Sequence, residues 1–301
     1  MVSSISQRSL EAFRCVMRAG TVSAAADEMA ISQPAVSRLI RDLEERLQLP
    51  LFSRRGGRVV ATREAHELWT EVERSFVGLG QIERAATQIR QGYRATLTIA
   101  AAPAIAQSAL PGVIALLSQE RPEFRAEFLS MTTLPVVRQV ALRQCQIGFG
   151  IPTRHKHEVD VVGSGSVPFR FIGPPGHPLG EQDIVREEDL AGVDFIGFVD
   201  STMSGRAFDR VFAKMRRPPV QKMKSYLSHI VSALVMRGLG VGIVDAFTAR
   251  DHMLMGGVMR PVEIADRFEY SIIKPHGDKL SPEALALVDG FERYVRGYQD
   301  D

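Results

Sequence analysis

Hydrophobic positions in this chain change texture twice. Up to about residue 62 they form short helical stripes, then one long stripe to about residue 91, then short apolar runs separated by amphipathic stretches. In the first segment Leu10, Phe13 and Met17 keep helical spacing and stop at Gly20. Thr21–Arg38 reads as two short helices joined by a tight turn. Ser23 and Ser32 stand at the expected N-caps, and Pro34 lies in the first turn of the second helix, where its missing N–H is not needed. Val36, Ile40, Leu43 and Leu47 form one stripe, while Gln33, Ser37 and Arg41 stack four apart on another face with Arg38 beside them. After Leu51-Phe52, the pair Gly56-Gly57 marks a hairpin turn flanked by Arg54, Arg55 and Arg58 and by a β-branched strand.

From Arg63 to about Gln91 there is no proline, and Leu68, Val72, Phe76, Leu79, Ile82, Ala86 and Ile89 recur at three- and four-residue steps. A helix of that length spans roughly 40 Å, too long to hide its stripe on a small domain. The pattern predicts a partner helix from a second subunit, with packing on its own chain as the alternative. Beyond Gly92-Tyr93 strands are predicted at Leu97–Ala101, Ala126–Ser130 and Gln146–Ile151, with helices near Gln107–Gln119 and Leu134–Arg143. A second set comprises strands at Phe169–Ile172, Phe195–Val199, Gln221–Ser225 and Val241–Val244, with helices near Gly205–Arg216 and Ser228–Arg237. Alternation of this kind means an α/β domain with a mainly parallel sheet, and a last strand near Glu269–Ile273 and helix near Pro282–Tyr294 follow it.

Composition changes this picture little: 301 residues with 45% apolar and 24% charged are ordinary for a globular protein of two or three units. The N-terminus lacks a signal-peptide core and charged residues interrupt every long apolar run, so the reading is cytoplasmic, with no membrane partner. Cys15 and Cys145, one in each half, fit reduced thiols better than a disulfide framework. Charge is more informative. Residues 1–62 hold nine Arg and no Lys against six acidic residues, a net of +3, whereas the whole chain sums to +2. Gln and Arg make bidentate contacts to adenine and guanine edges, and Ser reaches bases or phosphates, so a helix presenting Gln33, Ser37, Arg38 and Arg41 suits the major groove. The candidate DNA-contacting set is Ser23, Ser32, Gln33, Pro34, Ser37, Arg38 and Arg41, with Arg54, Arg55 and Arg58 on the hairpin for phosphate or minor-groove contact. The structural alternative is a solvated polar helix face.

Ala25-Ala26, Ser32-Gln33-Pro34-Ala35-Val36-Ser37, Leu43-Glu44, Leu51-Phe52 and Thr62 closely resemble the winged helix-turn-helix of LysR-type transcriptional regulators. Leu110-Pro111, Pro174-Pro175-Gly176-His177-Pro178-Leu179 and Arg237-Gly238-Leu239-Gly240-Val241-Gly242-Ile243-Val244 are similar to signatures of that family's effector-binding half. The resemblance implies a DNA-binding domain at 1–62, a dimer linker helix at 63–92, and a two-lobed α/β effector domain resembling periplasmic binding proteins. Its first lobe would be 93–163 with 268–301, and its second 164–267. It also implies double-stranded DNA carrying an interrupted palindrome, a small-molecule effector and self-association as dimer or tetramer, with RNA polymerase as a further partner. The segment 237–249 looks closest to the branch that includes LysR itself and the opine-responsive regulators, which sense amino acids or their derivatives. Gln144-Cys145-Gln146 departs from the family, where many members place an acidic residue before the third strand.

Ligands of open α/β sheets sit beyond the carboxyl ends of strands, where helix N-termini offer N–H groups to anions. Four loops qualify: Ala102-Pro103-Ala104; Ser130 with Thr132 and Thr133; Asp200-Ser201-Thr202; and Asp245. The hydroxyls suit an α-carboxylate, with plain N-capping as their alternative. Asp245, directly after an apolar strand, needs a cation or a hydrogen-bond partner, and either an effector's cationic end or a turn cap would serve. No cofactor or metal is expected. Gly238-Leu239-Gly240-Val241-Gly242 breaks Gly-x-Gly-x-x-Gly spacing and runs into a strand, which makes it a helix C-cap and turn. His155 and His157 have basic neighbours and read as solvated linker, and no catalytic constellation is visible, so the chain is expected not to be an enzyme. The remaining competitors are a free-standing cytoplasmic solute-binding module and a redox-independent repressor without a small-molecule effector.

Overall fold

A computed structural model describes residues 5–55, 58–90, 96–152 and 158–298, in two compact units divided after Arg90. Gly56-Gly57, Gly92-Tyr93, His155 and His157 lie outside the described residues, as do the side chains of Arg54, Arg55 and Arg58. Among the described residues, no helix is long and apolar enough to cross a membrane, and both cysteines are buried.

The first unit opens with α1 (Gln7–Ala19), which ends on Gly20 at φ 72°, the left-handed cap that glycine adopts without a Cβ penalty. Next come α2 (Val22–Glu28) and α3 (Gln33–Leu47). The expected cap at Ser23 is corrected: α2 starts two residues earlier, and Thr21 Oγ1 accepts from the Ala24 amide at 3.2 Å while Ser23 is exposed inside the helix. Ala12, Phe13, Val16, Ala25, Val36, Leu43 and Leu51 close a small core. Strands β1 (Phe52–Arg55) and β2 (Arg58–Ala61) pair antiparallel, with Arg55 opposite Arg58 across the two-residue connection. Glu44 fixes the entry to this hairpin by accepting from the amides of Leu51 (2.7 Å) and Phe52 (3.0 Å).

Helix α4 (Arg63–Arg90) is continuous over 28 residues. Its stripe divides. Leu68, Trp69, Val72 and Phe76 pack on the unit's own core, and Glu73 pairs with Arg14 of α1 at 2.7 Å; farther along, Leu79 is 37% and Ile82 66% exposed.

The second unit is one nine-stranded mixed sheet. Its elements in order are β3 (Leu97–Ala101), a π turn (Ile105–Ala109), α5 (Leu110–Glu120), β4 (Ala126–Ser130), α6 (Thr133–Ala141), β5 (Ile147–Gly150) and β6 (Val159–Gly173). Then follow β7 (Asp194–Phe198), α7 (Met203–Phe212), β8 (Val220–Ser225), α8 (Ser228–Val235), β9 (Val241–Asp245), α9 (Ala246–Leu254), β10 (Val258–Pro261), β11 (Arg267–Pro275) and α10 (Pro282–Arg296). The strand order is β4-β3-β5-β11-β6-β9-β7-β8, with β10 also on β6. Strands β3, β4 and β5 are mutually parallel, as are β7, β8 and β9, but β6 and β11 are antiparallel to each other. The mainly parallel expectation therefore holds within each half and fails at the crossing. Strand β6 was expected only at Phe169–Ile172; its 15 residues instead run from a pairing with β11 to pairings with β9 and β10, joining both lobes.

Gly240 shows why the glycine-rich turn is a structural device. It has φ 147°, and a Cβ there would lie 2.5 Å from the Asp194 carbonyl oxygen. Gly238, at φ 72°, ends α8 with its amide on the Val235 carbonyl at 2.8 Å.

Candidate functional site

In the first unit, burial of Val36, Ile40 and Leu43 turns the opposite side of α3 outward. Gln33, Pro34, Arg38 and Arg41 are exposed and Ser37 half-buried, while Arg41 Nε donates to the Ser37 carbonyl at 3.3 Å. Ser32 occupies the N-cap position with extended backbone, yet its hydroxyl makes no cap hydrogen bond, so it remains available to an outside partner. Gln33, Ser37 and Arg41, four apart, share one outward face of α3, with Arg38 beside them.

In the second unit, the carboxyl ends of β3 and β7 and the N-termini of α6, α7 and α8 surround a cavity of about 400 Å³. It brings together Ala102, Pro103, Ala104, Thr132, Thr133, Ser201 and Thr202, as the strand-end rule predicts. Thr202 Oγ1 caps α7, accepting from Gly205 N at 2.9 Å and donating to Val199 O at 2.8 Å. Thr133 Oγ1 accepts from Ile151 N at 3.2 Å, which leaves its proton to give. Thr132 has no cap bond. Phe198, Phe268, Leu134, Leu227 and Tyr226 supply apolar wall.

Three expected residues lie elsewhere. Ser130 ends β4 at an exposed position outside the lining. Asp200 is turned to the surface, where its carboxylate is held by Lys224 and its pKa is lowered by that bond. Asp245 is 1% exposed and acts as the N-cap of α9, accepting from Thr248 N (3.0 Å) and Thr248 Oγ1 (3.1 Å) and from the Ser228 hydroxyl. The cap alternative thus describes Asp245, which is not among the residues lining the cavity. Burial pushes its carboxyl above the usual range, and those hydrogen bonds oppose the shift.

Arg206, missed by the sequence reading, lines the cavity from the first turn of α7; its Nη1 donates to Ser201 O at 2.7 Å. Among the described residues it is the one charged group in the lining. The signal was its spacing: four residues after the capping Thr202, it shares that residue's helix face.

An outward helix-turn-helix face on one unit and a hydroxyl- and guanidinium-lined cavity between two α/β lobes on the other define a DNA-binding, ligand-receiving regulator. Comparison with known proteins agrees. Residues 7–66 match "Bacterial regulatory helix-turn-helix protein, lysR family", and residues 90–296 match "LysR substrate binding domain". The chain belongs to the LysR family of transcriptional regulators. It is 33% identical over 276 residues to the regulatory protein NocR of Agrobacterium fabrum, covering 90% of each chain. It is also 33% identical over 242 residues to the octopine catabolism/uptake operon regulatory protein OccR of Rhizobium meliloti, covering 80% of each. Its fold matches full-length CbnR complexed with target DNA at TM-score 0.66 and 18% identity, over 96% of this chain and 99% of that one. NocR and OccR are named as regulatory proteins, and CbnR as a LysR family transcriptional regulator.

Proposed function

We propose that this regulator binds an interrupted palindrome as a homo-oligomer and responds to a carboxylate-bearing amino-acid derivative of the opine class. Lobe 1 is 93–163 with 268–301, lobe 2 is 164–267, and the effector bridges them. The observation carrying the effector class is Arg206 facing the same cavity as Thr132, Thr133 and Ser201. A guanidinium holds a carboxylate through paired, charge-assisted N–H donors, and hydroxyls complete its shell. Apolar walls from Phe198, Phe268 and Leu134 suit an aliphatic stem. The relative whose name carries octopine points to the same chemistry. On DNA, Ser32, Gln33, Ser37, Arg38 and Arg41 read the groove with Ser23 and Pro34 at its edge, and Arg54, Arg55 and Arg58 hold the backbone.

Calorimetric titration with octopine, other opines, arginine and lysine tests the effector. Arg206→Ala is expected to weaken binding about 30-fold, the equivalent of ~2 kcal/mol for a charge-assisted pair. Equal binding by wild type and variant overturns the carboxylate assignment, and absence of binding by every amino compound overturns the class.

A further inference from the structure

A second polar pocket, of about 380 Å³, lies where the π turn meets α8 and α9. Gln107 and Ser108 come from the π turn, His229 and Ser232 from α8, and Thr248, Asp251, Leu254 and Met255 from α9 and its end. Ser108, Ser232 and Thr248 are 7%, 1% and 3% exposed, so this is a built site.

The hydroxyl protons here are already committed to the protein. Thr248 Oγ1 donates to Asp245 at 3.1 Å and Ser108 donates to Asp251. His252 Nε2 donates to the Gly173 carbonyl at 2.9 Å, so its Nδ1 accepts from Ser232 at 2.8 Å. What remains to offer is almost all acceptor: hydroxyl lone pairs, the Asp251 carboxylate and His229. His229 Nδ1 is buried with no hydrogen-bond partner, and burial keeps its ring neutral. Donors come from the Gln107 amide and the one N–H that a neutral His229 keeps, and no Lys or Arg is in the lining among the described residues. Leu254 and Met255, 75% and 60% exposed, form an apolar lip.

We propose that this pocket binds a small alkyl cation, its ammonium or guanidinium held by Asp251 and His229 and its aliphatic stem lying on Leu254 and Met255. Asp251 sits half-buried with its carboxyl pushed up by burial, the condition that an incoming cation relieves. Asp245 ties the pocket to the effector cavity, because it accepts from Thr248 on one side and from Ser228 on the other.

The test is calorimetric titration of the full chain with agmatine and with butylamine, against potassium chloride as ionic control. One cation per chain is expected, bound equally by Arg206→Ala, weakened about tenfold by Asp251→Asn and abolished by Gln107→Arg, which tethers a guanidinium in the pocket. Gln107 is exposed, so that variant remains informative if Asp251→Asn folds poorly. No saturable binding, or binding unaffected by both pocket variants, overturns the proposal. A change of cation affinity in Arg206→Ala overturns it too, tighter binding above all, because that places the cation in the effector cavity beside the guanidinium removed. Failure of opines to bind bears only on the effector reading.

Discussion

Asp245 is a carboxyl group governed by burial before hydrogen bonding, and that order has a pH consequence. A folded-state value raised above the unfolded one means the native protein keeps a proton that the unfolded chain has released. Its stabilising contribution is full below the ordinary carboxylate range and is lost as pH rises through the folded value. Asp251, raised for the same reason, adds a change of the same sign. Asp245→Asn keeps a capping oxygen and removes the titration. The melting temperature of the wild type should therefore fall more steeply than that of the variant as pH is raised from about 4. Parallel profiles would show that Asp245 carries its charge in the fold. At this scale the sequence is legible where one residue suffices and not where neighbours choose. A carboxylate after an apolar strand announces a partner but leaves open whether that partner is a ligand or Thr248. Thr21 and Ser23 are both competent caps, and only the helix start decides between them. Arg206 reads as solvated surface until β3 and α6 are brought opposite it.

Elements differ in legibility according to what surrounds them. Strands β3 and β4 are predicted to the residue, since apolar runs of strand length between turns have one solution. Helix α9 escapes prediction because Ala246, Phe247, Thr248, Ala249 and His252 are buried around much of its circumference, leaving no stripe. The first half of β6 escapes because Asp160, Gly163, Ser164, Gly165 and Ser166 look like a loop; their strand character comes from nine register pairs with β11. Helix α4 is legible in existence and only half legible in packing. Its proximal stripe serves its own unit, while the distal stretch around Leu79 and Ile82 is exposed and is where a partner helix would pack. Ile82→Asp should shift sedimentation from oligomer toward monomer while circular dichroism keeps its helical signal; an unchanged oligomer would move the interface elsewhere. On DNA, Arg38→Ala should relax base preference at about 1–3 kcal/mol, whereas Arg54→Ala should weaken all sequences alike and reduce the salt slope by about 1. Titrations at several salt concentrations separate the two, and identical loss profiles refute the division.

Across the whole effector-binding unit, the decisive feature is that two parallel three-stranded sets meet through β11 and β6, with β6 running on from its pairing with β11 to its pairings with β9 and β10. The cavity takes Ala102–Ala104 and Thr132–Leu134 from one side of that crossing and Ser201–Arg206 and Tyr226–Ser228 from the other. A ligand touching both sides stabilises the arrangement in which both are close, and only by its difference in affinity between open and closed forms. At a hundred times its dissociation constant it should stabilise the unit by about 2.7 kcal/mol. Hydrogen exchange should then slow at the four lining segments together, with Arg206→Ala cutting the stabilisation to about 0.9 kcal/mol at the same ligand concentration. Protection confined to one side would mean binding without closure. If closure is what the DNA-binding unit senses, a footprint upstream of the gene should shorten or shift with the same compound and at the same concentrations that slow exchange. A footprint that moves while exchange does not would place the regulatory signal outside this cavity, and exchange that slows under an unmoved footprint would leave the cavity a binding site without command of the DNA.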